Sequence, residues 1–93
     1  MTKAEEAYQD KMRESGCIVC RLYVGTWTPS DIHHILHAKK RIDEYHVLPL
    51  CFFHHRAGID SARCVSRHPY KARFEQRYGT EAELLAKARE FIS

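Results

Sequence analysis

The sequence predicts an α+β fold: two short strands that run into a short helix, with one helix before them and two after. Three observations carry that expectation. His46-Val47-Leu48-Pro49-Leu50-Cys51-Phe52-Phe53-His54-His55 reads as an apolar strand that turns through Cys51 into a helix bearing two histidines. Asp31-Ile32-His33-His34-Ile35-Leu36-His37 reads as a second strand, with apolar and polar residues alternating around the paired histidines. Thr2-Lys3-Ala4-Glu5 and Thr80-Glu81-Ala82-Glu83 are capping boxes that open helices near the two ends.

A chain of 93 residues is expected to form one domain, spanning 1–93, with a limited core. Such domains commonly need a staple, and the four cysteines and seven histidines suggest a metal. The first six residues are polar, with no apolar targeting segment, and no run approaches membrane-spanning length. We therefore expect a cytoplasmic monomer with no membrane partner, whose cysteines bind metal and form no disulfides. A redox role for Cys17-Ile18-Val19-Cys20 would want a strand before it and a helix after it in a thioredoxin-like pattern, and that pattern is absent.

Taken in order, Ala4, Ala7, Tyr8 and Met12 form an apolar stripe on a first helix over 3–15, stopped by Gly16. It reads as a structural cover with no chemistry of its own. Residues 21–30 read as an irregular loop or loose strand, with Trp27 packing over the metal knuckle. Residues 38–45 connect the two strands of a hairpin, and the core runs over 17–58 with its short helix ending at Gly58. Cys64 reads as a small buried apolar residue, and His68, four residues on, as a further candidate ligand. Pro69 takes the first position of a helix to Tyr78, with Tyr70, Phe74 and Tyr78 on one face. Leu84, Leu85, Ala88 and Phe91 give the last helix its apolar face, so that the C-terminal helices cover 69–92.

Cys17, Cys20, Cys51 and His54 make a Cys₃His set suited to a tetrahedral structural Zn²⁺. Cys51 and His54 are three apart, so one helical turn presents both to one ion. His55 points about 100° away around the helix and is free for other chemistry. His33 and His34 are adjacent on a strand and must face opposite ways. Residues 39–77 carry nine Lys or Arg and four acids, whereas the rest of the chain is net negative. That basic stretch suits a phosphate backbone, and Lys39, Lys40, Arg41, Arg56 and Arg73 are its candidate contacts.

Cys17-x-x-Cys20, Ile32-His33-His34-Ile35 and His46-Val47-x-Pro49-Leu50-Cys51-x-x-His54-His55 resemble the HNH, or ββα-metal, endonuclease family over about residues 17–57. Those elements, with His68-Pro69-Tyr70 and Arg73-Phe74-Glu75-Gln76-Arg77-Tyr78-Gly79, more narrowly resemble the phage recombination-enhancement, RecA-dependent DNA endonucleases over most of the chain. The resemblance implies a zinc-stabilised ββα-metal core and hydrolysis of DNA phosphodiesters, with DNA and a RecA filament as partners. It implies that His33 and His55 hold a catalytic Mg²⁺ or Mn²⁺ and that His34 is the general base. His46 falls where the family has its central Asn and can fix the loop by hydrogen bonding, but it also titrates. With His33 where an Asp is common, the site is less charged and better suited to a borderline metal than to Mg²⁺ alone. The competing expectation is a zinc-stabilised nucleic-acid-binding or protein-interaction module without turnover. A purely structural zinc needs only one histidine at 54–55, and the extra imidazoles distinguish the two.

Overall fold

In the computed structural model, which describes residues 1–93, Thr2 opens α1 (Lys3–Ser15) through the reciprocal bonds of its capping box. Thr2 Oγ1 accepts from the Glu5 amide at 3.1 Å, and Glu5 Oε1 accepts from the Thr2 amide at 2.7 Å. The buried face of α1 is not the alanine stripe: Ala4 and Ala7 are exposed, and Gln9 and Met12 are buried with Tyr8 beside them. Packing against the last helix and the central strands sets that face, and it selects long side chains over small ones.

Gly16 ends α1 at φ 81°, ψ 175°, a region open essentially to glycine alone. The Trp27 ring occupies the space where a Cβ would stand, 2.6 Å away, and its Nε1–H donates to the Glu14 carbonyl at 2.9 Å. Trp27 thus covers the end of α1 while remaining half exposed. Cys20–Val24 forms a π-helical turn, where a loop or loose strand was expected. The buried Cys17–Cys20 segment continues helically through Cys20, so its carbonyls find amide donors at Arg21, Gly25 and Thr26.

β1 (Asp31–His34) pairs antiparallel with β4 (Val47–Leu50), placing His33 opposite Leu48 and His34 opposite Val47. The expected long strand breaks at Ile35. Beyond it, β2 (Leu36–His37) and β3 (Lys40–Arg41) form a separate small hairpin inside the connector. Its two turn residues, Ala38 and Lys39, both have positive φ, 51° and 68°, the signature of a two-residue type I′ turn. β4 is buried along its whole length, and α2 (Phe52–His55) follows, ending at His55 rather than at Gly58.

α3 is Lys71–Tyr78 and α4 is Glu81–Ile92. Pro69 follows a cis bond and lies outside α3, whose N-cap is Tyr70. Phe74 and Tyr78 enter the core while Tyr70 stays at the surface. Leu84, Leu85 and Ala88 of α4 are buried as expected, but Phe91 is exposed and carries the Arg21 guanidinium 4.0 Å above its ring. α1 and α4 pack on each other and on β4. No helix is long and apolar enough to cross a membrane.

Two positive-φ sites predict opposite responses to substitution. Gly16→Ala should lower stability by about 2–3 kcal/mol, from backbone strain and the collision with Trp27. Ala38→Asn with Lys39→Gly should raise it by about 1 kcal/mol, because both residues favour the I′ turn. Urea midpoints at constant m-value measure both.

Candidate functional site: two Cys/His clusters

The first cluster is buried. Cys17, Cys20, Cys51 and His54 bring their ligand atoms within 4.8 Å of one another. Cys20 Sγ lies 3.8 Å from Cys51 Sγ, and His54 Nδ1 lies 3.2, 3.6 and 3.9 Å from Cys51, Cys20 and Cys17. A tetrahedron with Zn–S bonds of about 2.3 Å has S···S edges of about 3.8 Å, so the spacing fits zinc. It is far too long for a disulfide, and all four cysteines are free. The hydrogen bond from Cys17 pulls the Cys51 thiol down to about 3 and pushes Cys17 far up, while burial raises Cys20. Three adjacent thiolates become compatible only when a cation neutralises them. Tyr78 packs edge-on against the His54 ring, with centroids 5.3 Å apart. Cys64 stays out of the cluster, half-buried, with its Sγ donating to the Phe53 carbonyl at 3.4 Å.

The second cluster is His33, His55 and His68, whose ligand atoms also lie within 4.8 Å of one another. Strand alternation turns His33 inward from β1. The helical turn carries His55 away from His54. His68 arrives from the segment after α2, which is laid along it by bonds from the Arg67 amide to the His54 carbonyl and from the His68 amide to the His55 carbonyl, both 2.8 Å. The three rings pack at centroid distances of 5.1–5.2 Å. Burial lowers His55 and His68, which favours the neutral, ligating form at neutral pH.

Carboxylates hold the histidines from behind. Glu81, at the start of α4, is buried and lies 2.5 Å from His33 Nε2. Burial alone would raise its carboxyl. The bond to His33 and the charge of Arg67 outweigh burial and bring it down to about 2. Asp31 Oδ2 lies 3.3 Å from His55 Nδ1 and 3.0 Å from Arg56 Nε. Such outer carboxylates fix the ring orientation and tautomer of ligating histidines. His34 projects from the opposite face of β1, with Nε2 3.0 Å from Glu44 Oε2. His46 Nδ1 meets Asp43 Oδ1 at 2.9 Å, and that oxygen also accepts from the amides of Tyr45 and His46.

Of the cationic side chains read as phosphate contacts, three are engaged within the chain. Arg41 leans on Glu44 at 3.7 Å, Arg56 pairs with Asp31, and Arg73 lies 3.3 Å from Asp60. Lys39 and Lys40 form no ion pair and stand at the tip of the small hairpin. Sequence reasoning missed Glu81, Asp31, Glu44 and Gln9. Glu81 had a signal, as the acid beside a capping box, but there it reads only as a complement to the helix dipole.

The chain is a small α+β protein with four helices, a buried Cys₃His cluster that could hold zinc and a second, imidazole-only cluster that could hold a metal ion. The family described as "Recombination enhancement, RecA-dependent nuclease" matches it over residues 1–93. The chain belongs to that family, a class of nucleases acting in recombination. No curated protein matches the sequence significantly.

The donor geometry predicts one tightly held zinc per chain by elemental analysis. Cys51→Ser should lose it and unfold the domain, because structural zinc contributes about 10–16 kcal/mol in comparable small sites. A folded, zinc-free Cys51→Ser protein would contradict the assignment.

Proposed function

We propose that this chain is an HNH-type, metal-dependent DNA endonuclease, with β1, β4 and α2 as its ββα-metal core. The observation that carries the reading is the division of β1: His33 joins two other imidazoles on one face, and His34 stands alone on the other. A binding module held by a single zinc has no use for the second cluster.

In this reading Cys17, Cys20, Cys51 and His54 hold Zn²⁺, which clips β4 and α2 to the Cys17–Cys20 turn. His33, His55 and His68 hold the catalytic cation. Bound there, Mg²⁺ or Mn²⁺ would supply positive charge against the developing phosphorane and the leaving 3′-oxygen. All three donors are imidazole nitrogens, a set that suits a borderline ion such as Mn²⁺ better than Mg²⁺, and Zn²⁺ is a competitor for the same place.

His34 takes the proton from the attacking water as its oxygen bonds to phosphorus and the 3′-oxygen departs. An imidazole suits that step because its ordinary pKa lies near neutrality. His46, anchored on Asp43, shapes the loop before β4 through a hydrogen bond, the part an Asn would play. Lys39 and Lys40 contact the DNA backbone, and Arg41, Arg56 and Arg73 join them by exchanging their carboxylates for phosphates. The family description names RecA dependence; in this reading the partner is a RecA filament, met in the cytoplasm of a bacterial or phage-infected cell.

A plasmid-nicking assay on protein stripped at the weaker site and reloaded with Mg²⁺ or Mn²⁺, with and without a RecA–DNA filament, tests the reading. His34→Ala should keep fold and zinc while cleavage falls by about 10²–10⁴-fold. His33→Ala, His55→Ala and His68→Ala should each weaken the second cation, with partial recovery at high Mn²⁺. Wild-type cleavage by His34→Ala removes the base assignment, and no cleavage under any of these conditions leaves the binding module.

Affinity for DNA should fall steeply with salt. Lys39→Ala and Lys40→Ala should each make the log–log slope shallower by about 0.9, with little dependence on DNA sequence. A slope unchanged in both variants would place the DNA elsewhere.

A further inference from the structure

α1 carries one residue that a purely structural cover does not need. Gln9 is 2% exposed, and its Nε2 lies 2.9 Å from the main-chain oxygen of Glu44 and 3.0 Å from Glu44 Oε2. Both neighbours are acceptors, and an amide NH₂ has two hydrogens to give. The reverse amide orientation would set oxygen against two oxygens, so only this one satisfies the site. The same Glu44 Oε2 is 3.0 Å from His34 Nε2, while Oε1 faces Arg41 NH1 at 3.7 Å. Two donors from different elements therefore converge on one carboxylate oxygen.

We propose that Glu44 is a positioning residue for His34, and that Gln9 locks Glu44 in place, making α1 part of the catalytic apparatus. This rests on the reading of His34 as general base. An ionised carboxylate can only accept, so His34 Nε2 carries the proton and donates it to Glu44. The neutral imidazole then has its lone pair on Nδ1, and that nitrogen is the base. Gln9 keeps Oε2 from swinging away from β1. Its second bond, to the Glu44 carbonyl, ties the backbone of the 42–46 connector to α1, so side chain and main chain of Glu44 are held together. The bonds from His34 and then Gln9 keep the Glu44 carboxyl below its ordinary range, consistent with a permanent acceptor.

A structural clamp between Gln9 and the connector would affect stability alone. The positioning role adds a spectroscopic signature. Long-range ¹H–¹⁵N NMR of the zinc-loaded protein at mildly alkaline pH should show His34 protonated on Nε2. In Glu44→Met, which removes the acceptor, the two tautomers should mix, and kcat should fall about ten- to a hundredfold with KM for DNA unchanged. Glu44→Gln, which can still accept, should recover most of that loss. Gln9→Met, which removes both bonds to Glu44 but leaves Glu44 able to accept from His34, should lower kcat roughly fivefold.

An Nδ1-protonated His34 in the unsubstituted protein overturns the proposal without any variant. So does a wild-type kcat in Glu44→Met. Wild-type cleavage by His34→Ala with the Nε2 tautomer intact is a different result: it rejects the base reading itself while leaving the Glu44 contact in place.

Discussion

The register of β1 on β4 is the constraint on which the two clusters depend. His33 faces Leu48 and His34 faces Val47 across the pair. A slip of one residue would exchange the faces of the two histidines, sending His34 into the three-imidazole cluster and His33 toward Glu44. Two strands of four residues are too short to hold register by backbone bonds alone. Burial of the whole of β4, with Pro49 fixed opposite Ile32, supplies part of the specification. The rest comes from the Cys₃His cluster, because Cys51 follows Leu50 directly. Any slip of β4 would drag Cys51 out of a tetrahedron whose edges already match those of a zinc site.

Four of the six histidines given a role have their own carboxylate: His33 with Glu81, His34 with Glu44, His46 with Asp43, His55 with Asp31. The pairs are graded by burial. His33–Glu81 is nearly sealed and is supported by Arg67 at 3.4 Å and Lys71 at 3.7 Å. His46–Asp43 is open to solvent. A buried acid without such partners would cost several kcal/mol to ionise, and the bond to His33 and the charge of Arg67 keep the Glu81 acceptor ionised. The gradient matches the proposed roles, in which the most enclosed pair orients a histidine of the three-imidazole cluster and the most exposed one shapes a loop.

Much of this was legible in the sequence, and the reasons are local. Capping boxes fix helix starts through contacts three residues apart, so α1 and α4 begin where Thr2 and Thr80 say they do. Cys17, Cys20, Cys51 and His54 announce themselves by spacing, and their convergence follows once β4 turns into α2. The alternation of His33 and His34 needs only the strand period. What was hidden depends on distant partners. The burial of Gln9 is decided by Glu44, 35 residues away, and nothing in α1 marks it. His68 was a candidate ligand from the sequence, but the cluster it joins was not readable, because it forms only where residues 65–68 lie against α2 and that segment has no periodic pattern. The π-helical turn at Cys20–Val24 arises from satisfying buried carbonyls, a requirement invisible before burial is known.

These features meet in a problem of scale. A chain of 93 residues that buries Gln9, His33, His54, Arg67 and Glu81 devotes much of a small interior to polar groups. Each satisfied polar contact contributes only about 1 kcal/mol net, against about 2–5 kcal/mol for a large apolar side chain in the same volume. The apolar remainder, centred on Met12, Leu48, Leu50, Phe74 and Leu84, is modest. Zinc bound by the proposed Cys₃His site would resolve the conflict, since four side chains and one ion would then supply a stabilisation on the scale of an entire small domain. It would also do so where rigidity is most useful, since Cys51 and His54 flank the turn that leads to His55. With the fold secured there, β1 and the N-terminus of α4 can carry histidines and acids in place of leucines. On the proposed assignment, the arrangement separates a zinc site that makes the chain fold from a neighbouring one free to be shaped for chemistry.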